Sequence, residues 1–391
     1  MTENLRGAAI ETPQMTNTSP PLMESPPGPE TVIDGVKYLY FAGTSYLGLH
    51  GDPHVISAGC QALQRYGVHT GTSRGGFGTS RLLLDVESEA ASFFDRDDAF
   101  YFSTGYSANH ILLQAIADDV DAIYIDAAAH YSLQEAARLL GKPIRTFPHL
   151  SISGLQSLLQ RGQRPLVLLN GVDPATGRVA PVREFIELLS TCGPATLHLD
   201  DAHAVGVLGT QGRGTWEHHG LWSHVNGGSL ASGVRLTMCG TLAKALGGFG
   251  GIIPGSREFI DRVRSSSYYY SGASAPSSPV AACSLEGLRI VQREPQRRER
   301  LQFNLRKVRA GLRGLGISVE DEPSANVGAV IREAAVMKKL HSDLKQQCIL
   351  VPYVASYSGT GPEGIMRFAL CSEHTPEMLD RLVNALSGLI I

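Results

Sequence analysis

The sequence predicts an α/β fold: a mainly parallel central sheet with helices on both faces, followed by a smaller C-terminal α+β unit. Three observations carry this reading. Between about Asp97 and Gly255, short apolar runs recur, each followed by a turn and a helical pattern. The runs are four or five residues long, too short for a helix and continuous enough to be covered on both faces. Strands that alternate with helical segments pair in parallel, because a parallel neighbour needs a crossover and a helix supplies it. The chain of 391 residues, 43% hydrophobic and 18% charged, is long and apolar enough for a sizeable core and two or three units.

Taken in order, residues 1–29 are rich in Thr, Ser, Pro and Glu, and Pro20, Pro21, Pro26, Pro27 and Pro29 break any regular element, so a mobile arm is expected. Thr31 to Leu49 reads as a short hairpin, because Val36-Lys37-Tyr38-Leu39-Tyr40-Phe41 alternates before Gly43. In Pro53–Tyr66 the positions Val55, Ile56, Ala58, Ala62 and Leu63 lie on one helical face. The buried strands are expected at Ala99–Phe102, Ala122–Ile125, Pro165–Leu169, Ala195–Leu199 and Leu236–Cys239. A helical stretch from Ser278 to about Leu315 follows. It leads to Gly316-Ile317-Ser318-Val319, after which strand-like Gly328–Ile331, Ile349–Val351 and Met366–Leu370 alternate with helices at Ala334–Gln346 and from Thr375. The expected division is an arm and hairpin over 1–50, a large domain over 51–285 and a small domain over 286–391.

Charge and composition exclude several functions. With 34 Lys+Arg against 37 Asp+Glu the net charge is −3, which offers no footprint for nucleic acid and no cationic face for a membrane. No apolar stretch reaches the roughly 18 to 20 residues of a membrane span, and the first residues lack the apolar run of a secretory signal. A cytoplasmic protein is expected. The six cysteines are far apart with no Cys-x-x-Cys pair, so reduced thiols are expected rather than disulfides or a metal site.

In a sheet of this kind ligands sit beyond the carboxyl ends of the strands. Ser103-Thr104-Gly105-Tyr106-Ser107-Ala108-Asn109 follows the first run and opens a helix, a geometry that serves as an N-cap or as an anion site. His130 follows the second. After Leu199 come Asp200, Asp201 and His203, two carboxylates and an imidazole at one strand end. After Cys239 comes Gly240-Thr241-Leu242-Ala243-Lys244-Ala245-Leu246-Gly247-Gly248, in which one lysine stands in an uncharged, Gly-rich segment that would depress its pKa. An acid at one strand end and a desolvated lysine at a later one form the pair that pyridoxal 5'-phosphate (PLP) requires: Lys for the Schiff base, Asp for the pyridine nitrogen. Tyr268, Tyr269 and Tyr270 read as packing or interface aromatics, His218 and His219 as helix-end residues, and the run Arg293 to Arg300 as a solvated helix face.

The run from Leu199 to Gly209 with Gly212-Arg213-Gly214, then Gly240 to Gly248, resembles the α-oxoamine synthases among the fold-type I PLP-dependent enzymes. Tyr46-Leu47-Gly48-Leu49, the Ser103–Asn109 turn, the His130–Leu133 turn and Arg367 with His374-Thr375-Pro376 extend the resemblance from about Thr31 to the C-terminus. It implies a PLP-dependent acyltransferase that condenses an amino acid with an acyl thioester on CoA or a carrier protein, commonly with decarboxylation to an α-aminoketone. Lys244 would carry the cofactor, Asp200 pair with its ring nitrogen, His203 donate to its phenolic oxygen and His130 stack on its ring. Thr104, Gly105, Tyr106 and Thr241 would border ring and phosphate, and Ser271 would reach the neighbouring subunit's phosphate in a homodimer with shared active sites. Arg367 would pair with the amino-acid carboxylate. The family's Asn before Tyr-Leu-Gly-Leu is replaced by Thr44 and Ser45, a substrate-facing position. The turn after the middle strand departs too, as Asn170-Gly171-Val172-Asp173-Pro174. Transamination, racemisation and aldol-type cleavage on the same scaffold stay open, as does a non-catalytic subunit, against which the retained Lys244 argues.

Overall fold

The computed structural model describes residues 20–357 and 360–390. The expected arm lies outside the described residues up to residue 19. Residues 20–29 pack on the hairpin that follows: Met23 bridges Ile33 and the Glu24 N–H donates to Val32 O. That hairpin is β1 (Glu30–Ile33) and β2 (Val36–Tyr40), turned by Asp34 and Gly35 with φ of 50° and 74°. The helix Pro53–Tyr66 follows, capped by Asp52 and started by its proline.

The central sheet has seven strands: β3 (Asp98–Phe102), β4 (Ala122–Asp126), β5 (Ile144–Phe147), β6 (Pro165–Asn170), β7 (Ala195–Asp200), β8 (Val234–Thr241) and β9 (Gly251–Gly255). Their order is β3-β9-β8-β7-β6-β4-β5, parallel throughout except that β9 runs against both neighbours. The five expected runs form β3, β4, β6, β7 and β8. β5 has no such run because it is an edge strand with only Phe147 buried. β9 is masked by its bounding glycines and by Pro254, which lies past the residues pairing with β8, Ile252 and Gly251.

The small sheets are formed by β10 (Asn326–Ala329), β11 (Ile349–Leu350), β12 (Tyr353–Val354) and β13 (Ile365–Ala369). One has the order β10-β13-β12; in the other, β11 joins the N-terminal hairpin in parallel, Ile349 facing Leu39. The expected single helix to Leu315 is two, Ser278–Arg293 and Gln296–Gly314, because Pro295 forces Glu294 out of helical geometry. No strand forms at 316–319. The run Arg293 to Arg300 is not simply solvated: Arg298 is 9% exposed and donates to Val291 O and Thr210 O, and Arg297 reaches Asp52, Glu294 and Leu47 O. Among the described residues no helix is long and apolar enough to cross a membrane.

A buried ion pair fixes the strand that opens the site. Arg74 Nη1 and Nη2 lie 2.5 and 3.0 Å from Glu87 Oε1 and Oε2, and Oε1 also accepts from the Tyr101 N–H in β3. Arg264 adds a bond to Glu87 at 3.4 Å and a bidentate pair with Asp98. Removing one member of such a pair strands the other charge without water. Glu87→Ala should therefore lower the unfolding free energy by about 3–5 kcal/mol. Arg81→Ala removes an exposed i,i+4 contact with Asp85 and should change it by about 0.5 kcal/mol or less. Equal losses in urea unfolding would show that burial of the pair carries no weight.

Candidate active site

The carboxyl ends of β3, β4, β6, β7 and β8 meet around one cavity of about 260 Å³. Eight of the eleven residues singled out in the sequence line it: Thr104, Gly105, Tyr106, His130, Asp200, His203, Thr241 and Lys244. Parallel pairing puts Asn170 beside Asp200 and Asp200 beside Cys239, so the segments that follow these strands emerge on the same edge.

Lys244 sits in the turn after β8, its Nζ 2.9 Å from His203 Nε2. Burial lowers its pKa to about 8; the Asp200 charge opposes the shift and Arg367 adds to it. Burial, then Lys244, Arg367 and His130, hold His203 well below the ordinary histidine range, so its ring is neutral. The lysine turn is pinned from outside by His50, whose Nε2 donates to Ala243 O at 2.9 Å while Nδ1 contacts Ser45 Oγ at 2.8 Å. Neither His50 nor its contact with the departing residue Ser45 was marked by the sequence pattern.

Asp200 is fixed at both oxygens, Oδ2 accepting from Asn109 Nδ2 at 2.7 Å and Oδ1 from the Ala202 N–H at 3.1 Å. Behind it the buried Asn109 carbonyl accepts from His198 Nε2 at 2.9 Å, and Thr237 Oγ1 lies 3.0 Å from His198 Nδ1. Burial lowers His198 to about 4, so it stays neutral. Asn109 was visible only as part of a turn; its burial opposite an acid is what identifies its role. His130 caps the helix Tyr131–Leu139, and its backbone N–H donates to Asn170 Oδ1 at 3.1 Å. The Ser132 N–H donates to His130 Nδ1 at 3.2 Å, which orients the ring.

At the far end Thr241 Oγ1 donates to Gly250 O at 2.8 Å, and a Cβ at Gly105 would lie 2.6 Å from that hydroxyl. Only glycine fits there, next to the start of the helix Ala108–Ala115, where hydroxyls and helix-end amides suit a phosphate. This cradle, a carboxylate and a neutral-capable amine fit PLP. Among the described residues no cluster of three or more His, Cys, Asp or Glu is placed to hold a metal ion.

Three expected residues lie outside the cavity lining. Arg367, on β13, stands behind it, with Nε donating to the carbonyl of the lining residue Pro174 at 2.7 Å and Nη2 to Asn326 Oδ1 at 2.9 Å. Thr44 follows Gly43, whose carbonyl accepts from both terminal nitrogens of Arg367 at 3.4 Å. Ser271 lies against Gly75 and is not part of the cavity lining of its own chain. Arg81 is exposed and pairs with Asp85.

Residues 37–386 match the family aminotransferase class I and II. The chain is 35% identical to 8-amino-7-oxononanoate synthase of Methylococcus capsulatus, across 94% of this chain and 93% of that one. In structure it is similar to serine palmitoyltransferase of Sphingomonas wittichii, with a TM-score of 0.85 and 26% identity over 94% of this chain and 91% of the other. A high-resolution structure of SPT with PLP matches equally, TM-score 0.85 and 26% identity over 95% and 92%.

Asp201 is separated from this site although it adjoins Asp200. It is fully buried, its Oδ2 accepts from the Thr215 N–H at 2.8 Å, and its Oδ1 and Thr215 Oγ1 have no hydrogen-bond partner. Burial raises its pKa from 3.8 to about 7. A carboxyl whose folded pKa is raised contributes stability that is complete below the unfolded pKa and is lost as pH rises through the folded one. Asp201→Asn is neutral at every pH and can bond both Thr215 groups. The stability difference should therefore move in favour of the variant as pH rises from 3.8 through about 7, read by urea unfolding; a difference flat across that range would place the charge on Asp201 throughout.

Proposed function

The chain belongs to the aminotransferase class I and II family and is a PLP-dependent transferase of the α-oxoamine synthase group, and from that premise we propose how its own residues join an amino acid to an acyl thioester to give an α-aminoketone. The observation that carries the residue assignment is the neutral-capable Lys244 amine facing Asp200 across one cavity. When bound, PLP supplies the electron sink that makes the α-carbon of an amino acid nucleophilic. Lys244 would hold its aldehyde carbon, Asp200 its pyridine nitrogen, His203 its phenolic oxygen and His130 its ring face. Thr104, Gly105, Tyr106 and Thr241 would surround its phosphate.

The chain's work is then the handling of charge and protons. Asp200, held by Asn109 and the Ala202 amide, would keep a proton on the pyridine nitrogen. Lys244 Nζ, its pKa lowered to about 8 by burial, would accept the α-proton. Arg367 receives the substrate carboxylate, with Thr44 beside it, and so orients the α-carbon toward the thioester. A carbon–carbon bond forms to the acyl carbon, the carbon–sulfur bond breaks and the thiolate takes a proton from solvent; the carboxylate departs as carbon dioxide, and the proton held on Lys244 Nζ would take its place on the α-carbon.

A homodimer with shared active sites is part of this reading. Ser271 sits outside its own cavity, and Phe77 and Tyr268 beside it are 99% and 81% exposed, an aromatic surface that a second copy would cover. Six unpaired cysteines suit a reducing compartment, and we place the enzyme in the cytoplasm.

Incubation with PLP, amino acids and acyl-CoA or acyl-carrier thioesters should release thiol in step with aminoketone. Turnover of amino acid with no thiol released would replace acyl transfer by transamination, racemisation or aldol-type cleavage. Lys244→Ala should abolish turnover. Arg367→Ala should raise the amino-acid KM by about 10- to 150-fold, the value of a charge-assisted hydrogen bond of about 1.5–3 kcal/mol; an unchanged KM would remove Arg367 from the carboxylate.

A further inference from the structure

A continuous line of hydrogen bonds runs from Arg367 to Lys244 through His203 and two residues that the reaction scheme leaves unused, Asn326 and Tyr46. Arg367 Nη2 lies 2.9 Å from Asn326 Oδ1, Asn326 Nδ2 lies 3.2 Å from Tyr46 Oη, Tyr46 Oη lies 2.7 Å from His203 Nδ1, and His203 Nε2 lies 2.9 Å from Lys244 Nζ. Tyr46 and Asn326 are each 1% exposed, so water does not substitute for a missing partner.

The direction of every bond follows from chemistry at one end. A guanidinium can only donate, so the Asn326 atom facing it is the carbonyl oxygen and the amide nitrogen must face Tyr46. Tyr46 Oη therefore accepts from Asn326, and from Arg367 Nη2 at 3.5 Å. Its single proton is left for His203 Nδ1. A neutral imidazole that accepts at Nδ1 carries its proton on Nε2, the atom that faces Lys244.

We propose that Asn326 and Tyr46 are positioning residues that transmit the donor-only character of Arg367 to His203, fixing its Nε2–H tautomer so that it donates toward Lys244 and the cofactor site and holds the lysine as a free amine. An ammonium at Lys244 would place its own hydrogens against that N–H, so the relay and the burial of Lys244 act in the same sense. The charged and titratable groups that face the pair are Arg367, His130 and Asp200. The inference rests on the reading of Lys244 as the residue that holds PLP.

Two near-isosteric variants test it. Tyr46→Phe removes the proton given to Nδ1. Asn326→Asp keeps an acceptor for Arg367 but has no N–H to give, so Tyr46 turns its proton to the new carboxylate and His203 must donate from Nδ1 instead. In the apoenzyme labelled with ¹⁵N-histidine, wild-type His203 should show a protonated Nε2 and a bare Nδ1. Asn326→Asp should reverse this and Tyr46→Phe should mix the two. In the holoenzyme, the pH midpoint of the long-wavelength PLP absorbance should rise in both variants by on the order of one unit. A tautomer unchanged in both variants, or a changed tautomer with an unmoved midpoint, would overturn the proposal. A wild-type absorbance that Lys244→Ala shares would overturn the Lys244 reading instead, and the apoenzyme spectra would still decide the relay.

Discussion

The site is organised around one constraint: a lysine must be kept out of water and uncharged without being left alone. Burial at Lys244 disfavours the ammonium, while the nearby Asp200 carboxylate favours it, and the balance falls near neutral pH at about 8. His203 can share the space because it is neutral; beside the Lys244 ammonium a second cation would be repulsive. The same economy of charge runs through the surroundings. His130 is held below its ordinary pKa by burial foremost, and His198, behind Asp200, is lowered to about 4. Three neutral histidines and an amine that titrates at about 8 are thus gathered with one carboxylate.

The scaffold makes that arrangement possible by bringing distant segments to one edge. Parallel strands share a carboxyl end, so acid, amine and imidazole converge although they lie on separate crossovers. β9, the one strand of the central sheet that runs the other way, inserts between β3 and β8, and Gly250 just before it accepts from Thr241 Oγ1 at the cavity. The buried Arg74–Glu87 pair holds β3 from behind. Arg367 comes from β13, outside the central sheet, and its contacts with Gly43, Pro174, Asn326 and Tyr46 join that unit to the cavity wall.

What the sequence made legible follows a physical division. Asp200 and Lys244 could be read because each follows an apolar run that only a buried strand would have, and because an acid and a lone lysine at such ends have few other uses. β5 and β9 could not, since an exposed edge and a glycine-bounded strand erase the apolar run. Arg297 and Arg298 read as surface from their neighbours in sequence, yet their partners lie at Asp52, Leu47 and Thr210, where no local pattern points. Asn326 shows the same limit most sharply: it stands in a strand of small residues, and the tyrosine it meets is 280 residues away. Partnership across that distance is a property of the fold, and a buried polar side chain without a local partner is its only trace in the sequence.

The central claim, that Lys244 is the lysine matched to PLP, is tested most directly by reducing the holoenzyme with borohydride and mapping the phosphopyridoxyl label by peptide mass spectrometry. The account predicts one labelled peptide, the one containing Lys244, with the label lost when Lys244 is replaced by alanine. Label on a different lysine, or spread over the exposed lysines of the surface, would contradict it.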